Sequence, residues 1–208
     1  MLHNFLYKII PLLFVLIFIS SITNAQIKIG ISGGPNFASY TISNKDPHIT
    51  LKHKLNFSLG AIAEYQILKD LTLRLNAGYI QRGGKNNIPV LGKNDNNFNF
   101  NYLQFAPYIK YDIIISKINV QFLGGFSFGH LISANVNNDT GSFSLKDYLR
   151  SFNITSDFGL EFEIQTNSNY SIFINGIYSY GIRNLSRTPG DLKTRDININ
   201  IGFLYGLQ

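Results

Sequence analysis

The 208-residue chain predicts an all-β fold, an eight-stranded antiparallel up-and-down transmembrane β-barrel. Three observations carry that expectation. Apolar residues recur at every second position in eight stretches, the connections between these stretches alternate between long and short, and the polar positions hold too little charge for a water-exposed surface. A period of two belongs to a strand with unlike faces.

The stretches run in order. Ile27, Ile29 and Ile31 alternate with Lys28, Gly30 and Ser32. In "LNFSLGAIAEYQI", Leu55, Phe57, Leu59, Ala61, Ala63 and Tyr65 oppose Asn56, Ser58, Gly60, Ile62, Glu64 and Gln66. Leu71, Leu73, Leu75, Ala77 and Tyr79 follow, against Thr72, Arg74, Asn76 and Gly78. The fourth sets Leu103, Phe105, Pro107, Ile109 and Tyr111 against Tyr102, Gln104, Tyr108, Lys110 and Asp112. The fifth sets Ile118, Val120, Phe122, Phe126 and Phe128 against Asn119, Gln121, Gly125, Ser127 and Gly129. "FNITSDFGLEFEIQ" is the clearest, with Phe152, Ile154, Phe158, Leu160, Phe162 and Ile164 opposite Asn153, Thr155, Asp157, Gly159, Glu161 and Glu163. Tyr170, Ile172, Ile174, Tyr178, Tyr180 and Ile182 oppose Ser171, Asn175, Ser179, Gly181 and Arg183. The chain ends on Ile197, Ile199, Ile201, Phe203, Tyr205 and Leu207 against Asp196, Asn198, Asn200, Gly202 and Gly206.

Between them lie long connections at 41–54, 82–98, 133–150 and 184–194, and short ones at 67–70, 113–117 and 166–169. Such alternation describes successive hairpins, with both termini at the short-turn end. The strands this leaves, about 11 to 15 residues, are long for a soluble sheet and sufficient to cross a bilayer.

Orientation follows from the polar face. A soluble lipocalin-like barrel would point its apolar face inward and cover its outside with Lys and Glu; a membrane barrel does the reverse. Here the polar face is mainly Asn, Ser, Thr, Gly and Gln, and charged residues make up only 14% of the chain where about 25% is usual. Small polar residues suit the narrow lumen of an eight-stranded barrel. The expected architecture is therefore of the OmpA/OmpX kind, apolar side outward. Tyr65 and Tyr111 near the short turns, with Tyr79, Phe128, Phe152, Tyr178 and Tyr180 near the long loops, form the expected aromatic girdles.

The charges on the inward face nearly balance, and buried charges need partners. Arg74, Lys110 and Arg183 are expected to meet Glu64, Asp157, Glu161 and Glu163 in a structural lumen network. Glu161 and Glu163 share a face, as paired catalytic carboxylates would, but the lumen leaves little room for a substrate.

The N-terminus reads as a signal peptide over residues 1–25: Lys8 precedes an apolar stretch too short to span, closed by small Ala25. Residues 26–208 then form the single barrel domain of an exported bacterial protein, with termini in the periplasm and long loops outside. The chain has no cysteine, so disulfides, thiolate metal sites and cysteine nucleophiles are excluded.

Four stretches, "IGISGGPNFASY", "FSLGAIAEYQILKDLTLRLNAGYIQRGGK", "NYLQFAPYIKYDI" and "SDFGLEFE", together resemble the PorT-type outer-membrane β-barrel proteins of Bacteroidetes across the mature chain. The resemblance implies an outer-membrane location and a barrel fold. It also implies a family in which some relatives support the type IX secretion system and most have no assigned activity. The tail "NIGFLYGL" looks like a C-terminal signal for the barrel assembly machinery, carried by Asn200, Gly202, Tyr205 and Leu207, although Gln208 replaces the usual terminal Phe.

Other motifs carry less. "GISGGP" lacks a following helix pattern and contains Pro35, so its glycines fit a bend or bulge near the rim better than a phosphate loop. His48 and His53 lack an accompanying carboxylate cluster for a metal site. His130 and Ser133 resemble the pair of outer-membrane lipid A deacylases, but three apart they should face opposite sides of a strand. No enzyme activity, cofactor or metal is expected.

The long loops, together with Arg195 just past the last of them, carry a net charge of +6, including Lys52, Lys54, Arg82, Lys85 and Arg187, which suits lipopolysaccharide phosphates. Nothing in the pattern points to nucleic acid. The sequence thus describes a monomeric, non-enzymatic outer-membrane barrel in contact with lipid, lipopolysaccharide and the assembly machinery, and with a secretion-system or other envelope protein as a further partner. A narrow solute channel is the alternative, followed by a soluble lipocalin-like ligand-binding barrel.

Overall fold

The computed structural model describes residues 27–42, 50–87, 95–115, 118–138, 141–166, 169–188 and 190–207. The signal segment, His48 and Gln208 lie outside them. Eleven strands are described: β1 (Ile27–Ile42), β2 (Thr50–Lys52), β3 (Lys54–Leu68), β4 (Leu71–Arg82), β5 (Lys85–Asn87), β6 (Asp95–Ile115), β7 (Ile118–Asn138), β8 (Gly141–Ser144), β9 (Phe152–Gln165), β10 (Tyr170–Gly181) and β11 (Leu192–Leu207).

Eight of them form an antiparallel ring in the order β1-β3-β4-β6-β7-β9-β10-β11. The last strand returns to the first, from Ile27 opposite Leu207 to Ile42 opposite Leu192. That seam satisfies the backbone of both terminal strands and removes the sheet edges, which a lipid environment does not tolerate. The apolar tail is therefore structural. The short strands extend the wall at the long-connection end, with β5 on β6, β2 on β5 and β8 on β7.

β3, β4, β9 and β10 keep the expected length of about 11 to 15 residues, whereas β1 and β11 run 16 residues and β6 and β7 run 21, reaching into the expected long connections. Asn is a poor strand former, and the Asn-rich run from Asn96 to Asn101 reads as loop. Paired with β7, it keeps strand geometry through Asn97 opposite Asn137 and Asn99 opposite Asn135.

The faces exchange character along β6. Leu103, Phe105, Ile109 and Tyr111 are exposed on the outside, while Phe100 and Tyr102 are buried inside. A hydrogen-bonded row marks the change: Tyr79 Oη donates to Asn101 Oδ1, and Asn101 Nδ2 donates to Ser133 Oγ, both at 2.8 Å. This row ends the outer apolar band. On β10 the band runs from Tyr170 to Tyr180, both exposed. Ten strand steps at about 3.3 Å, tilted by about 40°, give a height of about 25 Å, the thickness expected of a membrane barrel's apolar belt.

Two local expectations change. "GISGGP" is no bulge: β1 keeps one register with β3 and β11 on both sides of it. Gly34 instead allows close strand approach, since an added Cβ would lie 2.0 Å from the Ile199 carbonyl oxygen. A bulge occurs instead in β7, where Asn101 faces Ser133 and Tyr102 faces Leu131, leaving Ile132 extra. This bulge turns Ser133 to the same outer side as His130, because Leu131 and Ala134 are the buried neighbours. Residues three apart share a side here only because of that extra residue. His130 packs edge-on against Phe152, and among the described residues no hydrogen bond joins it to Ser133.

Candidate functional site

The lumen contains most of the chemistry. Inward positions on five strands converge at one level: Lys28 on β1, Glu64 on β3, Arg74 on β4, Lys110 on β6, and Glu161 and Glu163 on β9. Arg74 is wholly buried. Its Nε donates to Glu64 Oε1 at 2.6 Å, and its two terminal nitrogens grip Glu161 at 2.5 and 2.7 Å. Lys110 Nζ lies 2.7 Å from Glu64, 2.8 Å from Glu161 and 3.5 Å from Glu163. Lys28 reaches Glu163 at 2.7 Å from the short-turn mouth. Three cations thus face three carboxylates.

Neutral groups complete this layer. Asn175 donates to Glu161 at 3.0 Å, and Gln121 bridges Glu163 at 3.2 Å and Asp112 at 2.9 Å. The Arg74 guanidinium lies 4.6 Å from the centre of the Phe173 ring, a cation–π contact. Phe173 can point inward because Gly202 leaves space, as a Cβ there would come within 2.2 Å of the ring.

Two expected members are elsewhere. Asp157 lies nearer the long-connection end and is held by hydroxyls: Tyr108 donates at 2.8 Å, Thr155 at 2.7 Å, and Ser127 completes the set. Arg183 is half-buried and, among the described residues, makes no ion pair with this network. β10 ends at Gly181, and the N–H groups of Ile182 and Arg183 both turn to the Ile154 carbonyl, so the inward alternation stops before Arg183. Arg82, read from sequence as a loop cation, takes an interior place instead, with its Nε 2.8 Å from Asp196. Continuing the alternation from Arg74 through Ile80 would have placed it inward.

Above these polar levels the lumen is closed by an apolar cluster of Ile80, Phe100, Tyr102, Leu131, Ala134, Leu149 and Leu185. The interior is thus filled twice, by ion pairs and by hydrocarbon. Below the ion pairs, a polar vestibule of about 230 Å³ opens at the short turns beside Lys28, Asp112 and Glu163.

At the C-terminus, Asn200 is inward, accepting from Ser58 at 2.8 Å and donating to Asn175 at 3.0 Å. Gly202 faces the lumen beside Phe173. Tyr205 packs against Tyr170 with ring centres 5.2 Å apart, and Leu207 is exposed outward opposite Ile27. Among the described residues no group of three or more His, Asp or Glu side chains is placed to hold a metal.

The eight-stranded ring has counterparts among known proteins. The fold is similar to Neisserial surface protein A, with a TM-score of 0.56 at 12% identity over 86% of this chain and 96% of that one. It is also similar to the outer membrane protein OprG from Pseudomonas aeruginosa, with a TM-score of 0.52 at 14% identity over 88% and 95%. A major outer membrane protein from Thermus thermophilus gives 0.53 at 11% identity over 88% and 99%. No curated protein matches the chain. A family model described as outer membrane protein beta-barrel domain matches residues 23–187. With four-fifths of its length under that model and an eight-stranded ring that is apolar outside, the chain belongs to the outer membrane protein beta-barrel domain family.

Proposed function

We propose that this chain is a non-enzymatic, non-conducting outer-membrane protein of the PorT type, with a structural or surface-interaction role. The observation that carries the reading is the ion-pair layer: Arg74 and Glu161 are both fully buried, and the charges around them balance. A conducting pore keeps a continuous aqueous path. A lumen closed by bidentate pairs and then by an apolar cluster does not.

In this reading a signal peptide exports the chain, and both termini and the short turns lie in the periplasm. The closing strand, through Asn200, Gly202, Tyr205 and Leu207, is read by the barrel assembly machinery. The opposite end meets lipopolysaccharide. Lys52 and Lys85 stand directly opposite each other on β2 and β5, with Lys54 beside them. Their pairing concentrates positive charge at this end of the wall, and such charge attracts phosphate. A secretion-system or other envelope protein is the further partner that a PorT-type relative would have.

Planar-bilayer recording on the purified protein tests the closed reading. The expected trace is flat. Steady single-channel steps would establish the narrow solute channel instead.

A further inference from the structure

At the long-connection end, above the apolar cluster, a cavity of about 250 Å³ is lined by Tyr40, Phe98, Phe100, Leu145, Leu149 and Leu192. Its aromatic walls are fixed against one another. Tyr40 and Phe98 meet edge to face at 5.3 Å, and Phe98 and Phe100 at 6.3 Å. Gly84 backs the Tyr40 ring, where a Cβ would come within 3.0 Å of it.

Two polar atoms in this wall are under-satisfied. Tyr40 and Asn86 are each 3% exposed and interact with each other, but Asn86 Oδ1 accepts no hydrogen bond and Tyr40 Oη makes none of good geometry among the described residues. Buried polar groups are rarely left so, because each costs about 1–3 kcal/mol. Asn86 Oδ1 only accepts. Tyr40 Oη both donates and accepts.

We infer that this cavity is a binding site for a small, uncharged aromatic molecule carrying one hydroxyl group. The ring would lie between Phe98, Phe100 and Leu149, and the hydroxyl would donate to Asn86 and accept from Tyr40. The volume falls below the usual 300–1,000 Å³ of drug-sized sites, which restricts the occupant to about one ring with short substituents. The apolar cluster beneath closes the route into the lumen, so the site retains its ligand at this end and does not pass it through.

The test uses the full-length protein in lipid nanodiscs, with p-cresol as probe and the leucine methyl signals followed by NMR. Saturable shifts confined to Leu145, Leu149 and Leu192 are expected. Toluene, which lacks the hydroxyl, and the Tyr40→Phe variant with p-cresol should each bind about fivefold or more weakly. Leu145→Trp, which fills the space, should abolish the shifts while the unheated gel mobility stays that of the folded barrel. Equal affinity for toluene and p-cresol would overturn the assigned ligand class. Shifts that never saturate would overturn the site, marking partition into lipid. Tighter p-cresol binding after Ile88, Val90 and Leu91 are all changed to serine would also overturn it, by identifying the chain's own side chains as the occupant.

Discussion

Replacing Glu161 by glutamine removes one charge and almost no volume from the most enclosed part of the barrel. Lys28, Arg74 and Lys110 would then face Glu64 and Glu163, with Asp112 reached only through Gln121 at the vestibule, so the fully buried centre around Arg74 is left one carboxylate short. Arg74 also loses one of its two bonds to that carboxylate, at 2.5 and 2.7 Å, because the amide keeps one acceptor oxygen and turns a donor toward the other guanidinium nitrogen. Breaking a buried pair from one side costs about 3–5 kcal/mol, and Arg74→Met should cost about as much by leaving a negative charge behind. The double variant Arg74→Met with Glu161→Gln is neutral again, with Lys28 and Lys110 against Glu64 and Glu163. Its loss should be no greater than that of either single variant, a coupling of about 2 kcal/mol or more. The chain contains no tryptophan. Urea unfolding in liposomes is therefore better followed by the folded fraction on unheated gels than by indole emission. Losses that simply add in the double variant, or a Glu161→Gln loss under about 1 kcal/mol, would refute the balanced-layer argument.

Two further outcomes follow from the packing. Gly202→Ala places a methyl group 2.2 Å from the Phe173 ring and 2.8 Å from the Ile31 carbonyl, and should cost about 1–3 kcal/mol in the same assay. Adding Phe173→Leu should recover part of that loss; no recovery would mean that the backbone contact dominates. Ile174 lies midway between the β10 girdles on the exposed face. Ile174→Arg should cost about 2–4 kcal/mol there, against about 0–1 for Ile182→Arg beyond the girdle, and equal costs would put the bilayer midplane elsewhere.

The ring was legible because lipid imposes a one-sided pattern that survives without any contact information. Glu161 and Glu163 could be assigned to one face by counting, and Arg74 and Lys110 to the same lumen. What counting could not give is the level at which each inward residue meets its neighbours, since that depends on strand stagger. Asp157 and Glu161 lie on one face of β9, yet one is held by hydroxyls and the other by Arg74 and Lys110. Strand ends were the other weakness. Arg183 continues the inward phase in sequence but follows the turn of two N–H groups to one carbonyl, whereas Arg82, beside Gly83 and Gly84, looked like loop and is interior. The bulge at Ile132 gave no signal at all, and it alone reverses the relation of His130 to Ser133.

The exchange of faces along β6 explains why the barrel needs two kinds of filling. Within the apolar belt the outside is hydrocarbon, so the interior holds the polar side chains, and those must satisfy one another. Past the Tyr79, Asn101 and Ser133 row the outside is polar, and the same wall can turn its apolar residues inward. Each level of the wall thus has one polar and one apolar side, and the inverted segment becomes a small soluble-type core on top of a membrane-type barrel. The two seals depend on different forces, ion pairing below and apolar burial above. Weakening the Arg74–Glu161 pair leaves Phe100, Tyr102, Leu131 and Leu185 in place, so loss of the ionic layer lowers stability without by itself opening a path through the barrel.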